Sequence, residues 1–168
     1  PYDTSLLVYD DLQCSDLGNS VVNWGASPLR SYAMDTAADY SMGQFVWTGF
    51  DYIGEPTPYS TKNSYFGIVD TAGFEKDSFW FYKSVWDIAC EKPFIHISPC
   101  YWDFNEGQMI DIIAYSNLPV LKLRYCGKIY DSETLDHKSE DKLCAHFRVP
   151  YHKNSPVAVR GYYNENCT

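Results

Sequence analysis

The chain has 168 residues, 45% of them hydrophobic, which fits one ordinary domain or two small ones and excludes an intrinsically disordered chain. A formal net charge of −9 argues against a nucleic-acid partner, because binding a phosphate backbone needs clustered Lys and Arg. No run approaches the roughly 18 apolar residues of a membrane span, so a membrane is not an expected partner either.

The first residues, Pro1-Tyr2-Asp3-Thr4, carry neither a start Met nor a basic-then-apolar signal pattern, so the chain is expected to be a piece of a longer protein. Ser27-Pro28 supplies an N-cap and a first-turn proline, which predicts a helix through about Tyr40. Gly43 to Trp47 reads as a short strand, apolar on both faces as parallel barrel strands are. A loop rich in Gly, Pro, Tyr and Asn follows from Gly49 to Gly73, long enough to be functional rather than a mere connection. Asp77 or Ser78 can then cap a second helix, Phe79 to Trp86.

The texture changes near Ile88 to Pro93, where the apolar period becomes two. Strands are predicted at Phe94–Ser98, Met109–Tyr115, Val120–Tyr125, Leu143–Val149 and Val157–Tyr162, separated by turns such as Asn105-Glu106-Gly107 and Asn154-Ser155-Pro156. Short strands at this spacing make an antiparallel sandwich. The polar stretch from Asp131 to Lys142 reads as a solvated loop. Six cysteines, Cys14, Cys90, Cys100, Cys126, Cys144 and Cys167, include no C-x-x-C pair, so free thiols are expected and neither a structural metal nor a cofactor is.

Chemistry concentrates at Phe45 to Pro58. If the preceding strand belongs to a β/α barrel, Trp47 lies at the carboxyl end of a stave, the face where barrel active sites are built. An indole there either stacks on the apolar face of a sugar ring or fills the end layer of the barrel. Asp51 and Glu55 either accept hydroxyl hydrogen bonds, orient neighbours, or cap turns. Retaining glycoside hydrolysis needs two carboxyl groups about 5–5.5 Å apart, but no second feature singles out Asp51 and Glu55 as that pair.

The run Phe45 to Pro58, continued by Ser64-Tyr65-Phe66-Gly67-Ile68-Val69-Asp70-Thr71-Ala72-Gly73-Phe74-Glu75-Lys76-Asp77, resembles the last strand, loop and helix of the catalytic barrel in family 2 glycoside hydrolases, the β-galactosidases in particular. Asn19 to Ala26 resembles the segment before that strand. Lys92 to Pro99, Glu106-Gly107-Gln108, Tyr115-Ser116-Asn117, Gly127-Lys128 and Val149-Pro150-Tyr151 resemble the β-sandwich that follows it.

The resemblance implies an α+β fragment. Residues 1–90 would be the last α/β elements of a TIM (β/α)8 barrel, and residues 91–168 an immunoglobulin-like antiparallel β-sandwich. It further implies that Trp47 lines a sugar subsite, and that the catalytic glutamates lie upstream of Pro1, leaving this piece inactive alone. The expected partners are a β-galactoside, and the remaining amino-terminal part of the same enzyme or a second copy. Family 2 β-glucuronidases carry an Asn-x-Lys pair that contacts the uronate carboxylate. The matching residues here are Ser64, Tyr65 and Phe66, which implies a neutral sugar. Cys100 departs from the His of relatives, and Tyr101-Trp102 shifts the aromatic pattern of the sandwich, whose expected role is support. The rival expectations are a non-catalytic module whose sandwich binds a glycan or a protein or serves as structure, and another family 2 glycosidase.

Overall fold

Ser27 sits in extended backbone before helix α1 (Pro28–Thr36), and its Oγ accepts the Arg30 N–H at 3.4 Å. Pro28 occupies the first turn, where its missing N–H has no intrahelical partner to lose. This is a computed structural model, and it describes residues 25–56, 59, 63–87, 92–99 and 103–164. The helix stops short of the expected Tyr40. Ala37 closes it by donating to the Ala33 carbonyl at 3.1 Å, and the Ser41 hydroxyl then binds the Asp35 carboxylate, a side-chain bond that competes with further helix. Asn19 to Trp24, Cys100, Tyr101 and Trp102 lie outside the described residues.

Helix α2 (Asp77–Trp86) places Asp77 in its first turn and Lys83 in its last, each at the pole of the helix dipole that favours its charge. Phe81, Tyr82, Ser84 and Val85 are buried, and Tyr32 of α1 meets Phe81 edge to face at 6.0 Å. The chain divides between Tyr82 and Lys83 into two units.

The expected strand at Gly43–Trp47 does not form among the described residues. A parallel strand is made by its neighbours, and among the described residues what pairs in this part of the chain is a set of isolated bridges, Phe50 with Val69, Tyr52 with Ser64 and Val69 with Glu75. The barrel of the expected fold class is therefore not seen among the described residues, while the antiparallel sheets are.

Those sheets fill the second unit. One has the order β1 (Ile95–Ser98), β2 (Met109–Ser116), β5 (Ala145–Pro150), and the other β4 (Lys128–Thr134), β3 (Val120–Tyr125), β6 (Val157–Tyr162). All pairings are antiparallel, with Ile112 opposite Phe147 and Leu123 opposite Val159. Alternation does the sorting: β5 buries Ala145, Phe147 and Val149 and exposes His146 and Arg148. Ile110, Ile112 and Ala114 of one sheet and Leu121, Leu123 and Tyr125 of the other join them in one core, so the two sheets form a sandwich.

Strand β4 runs through part of the stretch read as a loop. It is an edge strand with nearly every residue exposed, so no apolar period marks it. It is joined to β3 by Cys126 and Gly127, both at positive φ (49° and 78°), the two-residue turn whose twist suits a hairpin. Tyr125 closes the end of the sandwich: its hydroxyl donates to the Pro150 carbonyl and accepts the His152 N–H, both at 2.8 Å.

Candidate functional site

The first unit carries the segments that the sequence singles out. Residues 48–52 lie against residues 64–69 through five backbone bonds. Ile68 and Val69 donate to Thr48 and Gly49, Asp51 donates to Val69, and Tyr52 and Ser64 exchange a pair, at 2.8 to 3.3 Å. The polypeptide then folds back at Asp70 to Phe74, where Asp70 Oδ1 accepts the Ala72 and Phe74 N–H groups at 2.8 Å. This return brings Lys76 to Ile68, its N–H bonding the Ile68 carbonyl at 3.0 Å.

A buried charge cluster ties the layers together. Lys76, 5% exposed, extends its Nζ to Asp51 Oδ1 at 2.7 Å and to the Tyr65 carbonyl at 2.8 Å. The same carboxylate oxygen accepts the Gly67 N–H at 2.8 Å. Burial of a charge is tolerated when it is paired and hydrogen-bonded, and both conditions hold here. Burial raises the Asp51 carboxyl above its ordinary value, while the Lys76 ammonium and the Gly67 N–H act in the opposite direction. Gly67 is required by space: a Cβ there would sit 2.2 Å from the Asp51 nitrogen.

The three candidate residues thus have different surroundings. Trp47 is 71% exposed, and its peptide bond to Thr48 is cis. Asp51 is turned inward onto Lys76 and Gly67, so the oxygen that binds them serves the fold. Glu55 is exposed at its side chain, while its carbonyl accepts the hydroxyl of Ser64, a residue with no exposed surface. Of the three positions where glucuronidases were expected to carry Asn-x-Lys, Ser64 is thereby engaged, the Tyr65 carbonyl holds Lys76, and Phe66 meets Tyr52 edge to face at 5.8 Å. Reasoning on the sequence did not single out Lys76. It stands between Glu75 and Asp77 in a polar stretch, and its partner lies 25 residues earlier, so no local pattern marks it.

In the same segment as Trp47, Phe45, Phe50 and Ile53 are all well exposed. The second unit has a concavity of about 370 Å³ lined by Ile97, Pro99, Tyr151, His152 and Val157 among others. His152 Nδ1 there lies 2.7 Å from Glu106 Oε1. Among the described residues no helix is long and apolar enough to cross a membrane, and no group of three His, Cys, Asp or Glu is placed to hold a metal ion.

No family model matches the chain. Among curated proteins, it is 41% identical over 141 residues to the β-galactosidase BoGH2A of Bacteroides ovatus, a match covering 82% of this chain and 16% of that protein. Among solved structures, it superposes on a β-glycosidase from Bacteroides vulgatus with a TM-score of 0.66 and 27% identity, over 81% of this chain and 16% of the other. It also shares the fold of β-glucuronidase 3 of Bacteroides uniformis, with a TM-score of 0.68 and 20% identity over 85% of this chain and 19% of that one. The chain therefore spans about one sixth of the length of its curated relative. By sequence and by fold it is a relative of the family 2 glycoside hydrolases, the group of β-galactosidases and β-glucuronidases, and it corresponds to a carboxyl-terminal region of them.

Proposed function

We propose that this chain is the carboxyl-terminal part of a retaining β-galactosidase, in which residues 1–90 complete the catalytic barrel, residues 91–168 form the supporting immunoglobulin-like sandwich, and Trp47 lines the galactose subsite. The observation that carries the reading is Trp47 itself. A large indole left 71% exposed among the described residues, with Phe45 and Phe50 of the same segment also exposed, is an open face, as a sugar platform at the mouth of a barrel would be. Glu55 offers a free carboxylate as a hydroxyl acceptor, and Asp51 serves the site by orienting its neighbours. The acid/base and nucleophile carboxyls come from the rest of the enzyme, so this chain is inactive by itself.

A neutral sugar is favoured over a uronate. Ser64 and Phe66 bring no cation to the place where a uronate would be gripped, and the ammonium of Lys76 is turned into the fold against Asp51. A chromogenic β-galactoside assay on the full-length enzyme tests the proposal. Trp47→Ala should lower kcat/KM by about 100-fold, on the scale of losing a substrate-positioning contact, and an unchanged value would remove Trp47 from the subsite.

One observation favours a second reading, that the sandwich is a small-ligand module: its concavity falls within the size range of ligand sites. Galactose titration of the isolated chain, followed by NMR at Tyr151 and His152, separates the two, since the first reading predicts no shift at either residue.

A further inference from the structure

We infer that Lys76 is a positioning residue for the sugar subsite, holding Trp47 and the Tyr65–Phe66 segment in register with one another through its buried pair with Asp51. The inference rests on the proposed placement of Trp47 and assigns a role to a residue that touches no substrate.

Three sets of contacts tie Lys76 to the 48–52 and 64–69 strips. Its backbone N–H holds the Ile68 carbonyl at 3.0 Å, and Ile68 in turn donates to Thr48, the residue bonded to Trp47, at 3.1 Å. Its ammonium holds Asp51 Oδ1 at 2.7 Å, and the Asp51 N–H holds Val69 at 2.8 Å, the neighbour of Ile68. The same ammonium donates to the Tyr65 carbonyl at 2.8 Å, fixing the middle residue of the segment that glucuronidases would use to grip a carboxylate. One side chain thus fastens both strips of backbone that would border a bound pyranose.

The chemistry of the cluster requires this lysine in particular. Three donors on one Nζ can serve the carboxylate and the carbonyl together, which no neutral side chain of that length does. Gly67 lets the strips approach so closely that its N–H reaches the same carboxylate oxygen, so removing the ammonium leaves Asp51 charged, buried and held by a single neutral donor. The expected response is relief by movement: the carboxylate turns toward water, and the 48–52 strip that follows Trp47 moves with it.

A double-mutant cycle on the full-length enzyme tests this, using Lys76→Met and Trp47→Phe with a chromogenic β-galactoside. Lys76→Met should raise KM by roughly 10- to 100-fold in the Trp47 background, the scale of a misplacement of about 1 Å. In the Trp47→Phe background most of that rise should disappear, because the two residues act through one contact. Asp51→Asn, which keeps the side-chain size and can still accept from Gly67, supplies a second cycle if Lys76→Met does not fold, and Lys76→Arg should recover part of the lost KM. Equal effects of the lysine or aspartate substitution in both backgrounds would overturn the inference while leaving the subsite intact. Trp47→Phe and Trp47→Ala without any effect of their own would instead overturn the subsite reading beneath it.

Discussion

Substituting Gly67 by Ala tests the packing of the candidate site most sharply. An added Cβ would lie 2.2 Å from the Asp51 nitrogen, 2.3 Å from the Phe50 carbonyl carbon and 2.7 Å from Asp51 Oδ1. Two of these neighbours are backbone, so no side chain can swing aside, and the strips must part by about 1 Å to reach ordinary contact. That movement stretches the 2.8 Å bond from Gly67 to the carboxylate and the 2.8 Å bond from Asp51 to Val69. Overpacking costs about 1–3 kcal/mol and a lost bond to a charged group about 1.5–3 kcal/mol, which together give about 2.5–6 kcal/mol. For a chain of this length the thermal midpoint should fall by on the order of 10 °C. Gly49→Ala is the matched control, because a Cβ at Gly49 meets nothing within 4 Å, and its midpoint should change little. Thermal unfolding followed by tryptophan fluorescence reads both variants. If the two melt together, the close approach at Gly67 does not exist and the clasp built on it fails.

Other outcomes follow from the second unit. Phe147→Ala, at a site with 1% exposure in the middle of β5, should cost about 3–5 kcal/mol in urea unfolding, and a loss under about 1 kcal/mol would contradict the core described above. Burial pushes the Cys144 thiol up to about 11, whereas Cys126 is exposed on its hairpin. Iodoacetamide at mildly alkaline pH, with peptide mapping by mass spectrometry, should therefore modify Cys126 first and Cys144 only on unfolding, and the reverse order would refute the placement of β5. Burial also lowers the pKa of His137 below its ordinary 6.5, with the Ser116 backbone and Asp136 opposing the shift. The unfolded chain takes up this proton near 6.5 and the folded chain only at lower pH. The stability attached to His137 is thus present above 6.5 and lost as the pH falls through the window below it. His137→Gln should flatten that part of the stability profile, and an unaltered slope would show that the half-buried His137 ring does not lose its hydration on folding.

The sandwich was the most legible part of the sequence. Its strands β2, β3 and β6 alternate or run apolar between turn signals, and they stand within a residue of where the period of two puts them. Strand β4 escaped because an edge exposed on both faces leaves no hydrophobic period in Lys128–Thr134, and because Cys126-Gly127 lacks the Asn or Asp that usually announces its turn. Gly43–Trp47 was read as a strand from its apolar content alone, yet a parallel strand exists only through its neighbours, and sequence cannot supply them. Trp47 stood out by type and by likeness to a family. Lys76 did not, since its burial comes from Asp51 and Tyr65, and a contact 25 and 11 residues away leaves no local pattern. The inward turn of Asp51 was hidden for the same reason.

The measurement that bears most directly on the account is the ratio of kcat/KM for a chromogenic β-galactoside to that for the corresponding β-glucuronide, taken on the full-length enzyme. The proposed site, bounded by Trp47 and with Ser64 and Phe66 in place of a carboxylate grip, should prefer the galactoside by several hundredfold or more, the scale of leaving a uronate charge unpaired. Preference for the glucuronide would contradict it, because the ammonium of Lys76 is already held by Asp51.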